Sequence, residues 1–217
     1  MQPARIAELL HPFLEEDAGR ETLWLSISMY IDILMRWNAR INLTAIRGPE
    51  EVVTRHFGES LFAARHLFSS SSVPSVVKPL TRVADLGSGA GFPGIPIKLW
   101  APEISLTLIE SNQKKAAFLR EVTRALTLTD VNVENVRSED IVLMQPFDVL
   151  TLRAVERFQD VLPTAVKLIG TSGRVALLIG SSQLGEIQAA GLSWQAPLPI
   201  PLSRSRVLVI GSRESGK

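Results

Sequence analysis

The chain has 217 residues, 46% of them hydrophobic and 21% charged, and 23 basic against 22 acidic side chains leave a net charge of +1. That length supports one domain, or one domain with an appendage, able to bury roughly 70% of its unfolded surface, and the composition excludes a disordered chain. The absence of cysteine excludes disulfides, iron–sulfur clusters and a cysteine nucleophile, and 3 His leave little for a dedicated zinc or iron site, so no metal is expected.

No apolar run reaches the roughly 20 residues of a membrane span and no signal-peptide pattern opens the chain, so the expectation is a soluble cytoplasmic protein. Residues 1–70 carry 7 basic and 9 acidic groups, net −2, and residues 71–217 carry 16 and 13, net +3. An asymmetry this small permits an RNA partner without implying one.

The first stretch reads as helical. Leu23, Ile27, Tyr30, Ile31, Leu34 and Trp37 recur at helix spacing and make one wide apolar face. Glu21 or Thr22 stands near its start and Asn38 near its end. Asn42-Leu43-Thr44-Ala45-Ile46 breaks the period and Gly48-Pro49 reads as a turn. A helical pattern resumes over 50–68 (Val53, Phe57, Leu61, Ala64, Leu67), and Ser69 to Ser72 with Val73-Pro74 is the best linker candidate. The expected organisation is a helical extension, 1–72, packed on a core, 73–217.

From Arg82 the pattern becomes alternating strands and helices. Val83 to Leu86 is a short buried strand, Pro93 to Trp100 a helix opened by proline, Ser105 to Ile109 a strand, and Gln113 to Leu126 an amphipathic helix. Strands follow at 131–136, 147–152, 174–179 and 206–210, the last after a proline-rich stretch at 197–201. This alternation predicts an α/β fold, a mostly parallel sheet with helices on both faces. No internal repeat is present.

Asp85-Leu86-Gly87-Ser88-Gly89-Ala90-Gly91-Phe92-Pro93-Gly94 lies between the first strand and the helix, where ligands of such sheets bind. Gly89-x-Gly91-x-x-Gly94 matches the dinucleotide spacing, and Asp85-x-Gly87-x-Gly89-x-Gly91 matches that of S-adenosylmethionine-dependent methyltransferases. The aspartate favours the second, because a carboxylate there repels a pyrophosphate and helps to hold the ammonium of a methionine group. Asp85, Gly87, Ser88, Gly89 and Gly91 are therefore candidate cofactor residues. Glu110, 19 residues after Gly91 at the end of the second strand, is placed to accept ribose hydroxyls, next to Ser111. Ser138 and Glu139 follow the third strand, either as a wall of the adenine pocket or as the start of a helix with an acid in its first turn. Phe92 packs on the methionine chain or plugs the core beneath the helix.

Methyl transfer is an in-line displacement that asks mainly for proximity and orientation. No Asn/Asp-Pro-Pro-Tyr motif follows the fourth strand, where the chain reads Leu150-Thr151-Leu152-Arg153-Ala154, which argues against exocyclic amines of nucleic acids as acceptors. A ring nitrogen with its own lone pair, such as guanine N7, needs no general base, and none is assigned. Arg153 orients a cofactor carboxylate, grips a phosphate or guanine, or forms a surface pair. His56 reads more as a satisfied helix histidine than as a catalytic one. Lys114, Lys115, Arg120 and Arg124 make a basic helix face that is solvated or touches RNA. A small-molecule or protein methyltransferase and a nucleotide-binding module stay open on these residues alone.

Trp37-Asn38, Asn42 to Ile46, His56 with Ser60-Leu61, Asp85 to Pro96, Arg153-Ala154 and Gly173-Arg174 occur in the order seen in the glucose-inhibited division protein B family of ribosomal RNA small-subunit methyltransferase G enzymes. The chain resembles that family from about residue 30 to residue 180. The resemblance implies a bacterial enzyme with a Rossmann-like class I methyltransferase core and a helical N-terminal extension. It implies S-adenosylmethionine as cofactor, guanine N7 of 16S ribosomal RNA as acceptor, and the RNA or the small subunit as partner, with no obligate protein partner evident. By position, the implied cofactor contacts are Gly87, Phe92, the stretch at Glu110, Ser138-Glu139 and Arg153. Two departures stand out. Ile179-Gly180 replaces a common Lys-Gly, which removes a basic contact, and Glu59 replaces a common aspartate before Ser60, a change expected to matter little.

Overall fold

The computed structural model describes residues 1–14, 21–68, 80–142, 144–153 and 158–213. Helix α1 (Pro3–Leu14) lies in the stretch expected to be helical, although the sequence reading gave it no bounds of its own. It buries Ile6, Leu10, Phe13 and Leu14, one stripe at helical spacing. Helix α2 (Glu21–Asn38) buries Leu23, Trp24, Ile27, Tyr30, Ile31, Ile33 and Leu34, close to the predicted face. Its end is fixed by Asn38, whose Oδ1 accepts from the N–H groups of Leu43 (2.9 Å) and Thr44 (3.0 Å). That bond pair holds the non-helical Asn42–Ile46 segment against the helix terminus.

The next helical stretch is continuous but not uniform. A first turn, α3 (Pro49–Glu51), runs into a π-helical segment, Val52–Gly58, and then into α4 (Glu59–Phe68). Such wide turns inside helices often mark functional positions, and this one carries Arg55 and His56. The linker candidate and the boundary at 72/73 lie outside the described residues.

The sheet strands are β1 (Arg82–Leu86), β2 (Ser105–Ile109), β3 (Val131–Glu134), β4 (Phe147–Arg153), β5 (Ile169–Gly180), β6 (Leu192–Trp194), β7 (Leu198–Pro199) and β8 (Arg206–Arg213). Their order is β3-β2-β1-β4-β5-β8-β6, with β7 also paired to β8. Strands β1 to β5 pair in parallel, while β8 runs antiparallel to β5, β6 and β7. Helices α5 (Gly94–Trp100), α6 (Gln113–Ala125) and α7 (Phe158–Leu168) connect them. Helix α7 was not among the expected elements, although Leu162, Ala165 and Leu168 form a buried stripe at helical spacing, and α5 starts one residue later than expected, with Pro93 as its N-cap.

The strands' two-residue period divides the core into two layers. Val83, Leu106, Leu108, Val149, Ala176, Leu178, Leu208 and Ile210 face α1, α2, α4, α5 and α6 in one continuous apolar cluster. Ala84, Leu86, Leu150, Leu152, Val175, Leu177, Ile179, Val207 and Val209 face the opposite side, under α7 and Ile187. The helical region before Phe68 thus shares a core with the sheet. Strand order reverses between β1 and β4, which opens a crevice at their carboxyl ends.

Candidate cofactor site

The glycine loop leaves β1 in a tight curl, held by the edge of β2. The N–H groups of Gly87 and Ser88 both donate to the Ile109 carbonyl, at 2.9 and 3.0 Å. Gly87, with φ of +72°, turns the chain over the strand ends, and nothing lies within 4 Å of where its Cβ would project. Opposite it, Glu110 is almost buried, at 7% exposure. One carboxylate oxygen accepts from the Gly89 N–H and the other from the Asn112 N–H, both at 2.8 Å. Asn135 Nδ2 donates to the carbonyls of Glu110 (2.8 Å) and Ser111 (3.0 Å), pinning the β2 end.

These groups border a cavity of about 440 Å³ lined by Leu86, Gly87, Ile109, Glu110, Ser111, Val136, Arg137, Ser138, Glu139 and Val161. The structure therefore brings together Gly87, Glu110, Ser111, Ser138 and Glu139 of the residues singled out in the sequence. Its size falls in the range of small-molecule sites. Ser138 and Glu139 open a single 3₁₀ turn, Ser138–Asp140, and the Ser138 hydroxyl donates to Glu139 Oε2 at 2.9 Å. Arg137 and Val161 join the lining without having been expected there.

Other candidates lie beneath the loop. Asp85 is 1% exposed. Its Oδ1 accepts from the Thr151 hydroxyl at 2.8 Å and its Oδ2 from the Gly94 N–H at 3.2 Å. Burial pushes its carboxyl up to about 6 against the opposing pull of those bonds and of Ser88. Asp85 lies outside the cavity lining and ties β1 to β4 and to the start of α5. Ser88, 2% exposed, donates its hydroxyl to the Asp85 carbonyl at 2.8 Å. Gly89 meets Glu110 through its N–H, and Gly91 and Phe92 are buried on the α2 side of the loop. Phe92 belongs to the apolar core.

Arg153 does not project freely from β4. It shares the face of Val149 and Thr151, and its Nε and Nη2 donate to Glu59 Oε2 at 3.3 and 3.1 Å, while Nη2 also reaches the Arg55 carbonyl at 2.9 Å. Arg206 Nε donates to the same oxygen at 2.9 Å, and Arg55 Nε lies 3.5 Å from Glu59 Oε1. Three guanidinium groups therefore meet one carboxylate that is 2% exposed. Burial lowers the Arg153 guanidinium to about 10. Glu59 is the hub of this cluster, which the sequence reading treated as a minor substitution. Ile179 is buried in the opposite layer, and Arg206 lies across the β5–β8 pair from Gly180.

His56 stands beside the cluster, its ring 4.8 Å from that of Phe92 and its Nε2 2.7 Å from the Thr44 hydroxyl. Burial first, then the charges of Arg153, Arg55 and Arg206, lowers it to about 3, so the imidazole is neutral at physiological pH.

A mostly parallel sheet with one antiparallel strand inserted next to β5, a glycine loop after β1 and an acid after β2 define a class I methyltransferase. Solved structures agree on the fold. The chain is similar to a ribosomal protein L11 methylase from Lactobacillus delbrueckii subsp. bulgaricus (TM-score 0.57, 16% identity, 74% of this chain and 79% of that one). It is also similar to M. jannaschii TYW2 in complex with AdoMet (TM-score 0.52, 14% identity, 71% and 74%). More specifically, residues 25–203 match the GidB family model, rRNA small subunit methyltransferase G, and the chain belongs to that family. The Ribosomal RNA small subunit methyltransferase G of Xylella fastidiosa (strain 9a5c) is 38% identical over 186 residues, 83% of this chain and 82% of that protein.

Proposed function

We propose that this protein transfers a methyl group from S-adenosylmethionine to N7 of a guanine in 16S ribosomal RNA of the small subunit, in the bacterial cytoplasm. The observation that carries the reading is the cavity at the carboxyl ends of β1 and β2, closed by Gly87 and Glu110, in a chain of this family. The residues fit the cofactor. Gly87 leaves the loop backbone open to close approach, and each Glu110 oxygen, with one N–H accepted, keeps a lone pair for a ribose hydroxyl. Ser138 and Glu139 wall the end where an adenine lies. Among the described residues, no helix is long and apolar enough to cross a membrane.

S-adenosylmethionine supplies a methyl group on a sulfonium, ready for in-line displacement. What the chain contributes is position. The loop and Glu110 fix the cofactor, and the neutral His56 and the arginine cluster border the acceptor side. Guanine N7 attacks with its own lone pair, so no side chain has to remove a proton. Three arginines against one carboxylate leave an excess of positive charge beside the strand ends, which suits a polyanionic substrate.

The test is methyl transfer from labelled S-adenosylmethionine to unmodified small subunits and to protein-free 16S RNA, followed by nucleoside mass spectrometry. Label in 7-methylguanosine supports the reading, and the better substrate identifies the form that is recognised. Binding of cofactor without label in either RNA form sinks it.

A further inference from the structure

The glycine loop rests on a side chain from the N-terminal helical region. Tyr30 of α2 is fully buried, and its hydroxyl donates to the Ala90 carbonyl at 2.5 Å. Its ring lies parallel to that of Phe92, 3° between planes and 5.4 Å between centroids. Phe57 meets both rings edge-on, at 5.2 and 5.0 Å. Residue 91 is the third contact. A Cβ on Gly91, where φ is +82°, would overlap the Tyr30 hydroxyl. One side chain therefore touches the loop at three consecutive residues, Ala90, Gly91 and Phe92.

We infer that Tyr30 is a positioning residue for cofactor binding, acting through the backbone of the glycine loop. The loop is irregular, and its Gly89 N–H must point back at Glu110 for that carboxylate to hold its place at the cavity. Within the curl the Gly91 N–H donates to the Ser88 carbonyl and the Ser88 hydroxyl to the Asp85 carbonyl. The Tyr30 hydroxyl fixes the opposite side of the same curl. Burial, with the charge of Asp85, pushes the phenol well above its ordinary value, so it stays a donor throughout the working pH range. The helical region is thus part of the cofactor site and not only a cover for the sheet. This inference rests on the S-adenosylmethionine reading above.

Tyr30→Phe deletes one oxygen and keeps the stacked ring. Phe57→Leu disturbs the same aromatic packing, the Phe92 ring included, but removes no hydrogen bond to the loop backbone, and serves as the control. The dissociation constant for S-adenosylhomocysteine is measured by calorimetry at a temperature where wild type and both variants are folded, together with thermal midpoints and rRNA kinetics. The expected result is a rise of about tenfold for Tyr30→Phe, seen also in KM for S-adenosylmethionine, with KM for RNA within twofold of wild type. Phe57→Leu lowers the thermal midpoint at least as much but leaves the dissociation constant within twofold. An unchanged constant in Tyr30→Phe, or an equal rise in Phe57→Leu, overturns the inference. A wild-type chain that binds no S-adenosylhomocysteine overturns the cofactor reading itself.

Discussion

Glu59 of α4 and Arg153 at the end of β4 meet 3.1 Å apart, side chains 2% and 9% exposed, across the seam between the helical region and the sheet. The same carboxylate takes Arg206, so a single anion balances cations from β4 and β8. Removing one partner of a buried ion pair is far costlier than the pair is worth, because the other charge stays desolvated. Glu59→Gln leaves three guanidinium groups facing one another. We expect it to lower unfolding stability by about 3–5 kcal/mol, read from urea denaturation at neutral pH. A loss below about 1 kcal/mol, the scale of an exposed pair, contradicts the hub role.

Glu110 has two jobs in the geometry, holding the Gly89 N–H and facing the cavity. Hydrogen bonds to a charged group contribute about 1.5–3 kcal/mol. Glu110→Ala is therefore expected to weaken S-adenosylhomocysteine binding by about 10- to 100-fold, measured by calorimetry. Glu110→Gln keeps one acceptor oxygen and should fall between the two. Affinity unchanged in Glu110→Ala removes this residue from the cofactor site.

Helix α6 begins at Asn112, whose Oδ1 accepts from the Lys114 and Lys115 N–H groups at 3.0 and 3.2 Å. Its own N–H donates to Glu110. Asn112→Ala removes the cap and is expected to cost about 1 kcal/mol of stability, again by urea denaturation. Because the backbone N–H survives, cofactor affinity should change much less than in Glu110→Ala. A loss of affinity as large as that of Glu110→Ala shows that the cap, and not the carboxylate, sets the β2 end.

What the sequence made legible is what short-range patterning controls. The face of α2, the alternation of strands with helices from Arg82 onward, and the glycine loop with Glu110 all follow from local periodicity or spacing, and the structure sets Gly87, Glu110, Ser111, Ser138 and Glu139 around one cavity. Contacts between distant segments were not legible. Tyr30 reads as one more apolar residue on a helix, and nothing nearby says that its hydroxyl ends on Ala90, 60 positions away. Arg206 and Glu59 lie 147 positions apart, joined only because β8 inserts next to β5 with its even-numbered residues facing α4. The bonds of Asp85 belong with these: its spacing to the glycines marks the loop, but nothing in that spacing says that its carboxylate accepts from Thr151 on the neighbouring strand, 66 positions away.

His56 gives a pH signature. It is held neutral, at about 3 against an ordinary 6.5, by burial and by the three arginines around Glu59. In the folded state it resists a proton that the unfolded chain accepts, so its contribution to stability is complete above pH 6.5 and is lost as pH falls toward 3. Between pH 7.5 and pH 5, wild type should lose about 2 kcal/mol from this group alone. His56→Gln lacks the titration, so its loss over the same interval should be smaller by that amount. Paired urea denaturations of the two proteins at both pH values isolate the group, since every other titrating side chain is common to both. Equal losses in wild type and variant mean that the imidazole takes up its proton in the folded protein, and that the arginine cluster does not hold it neutral.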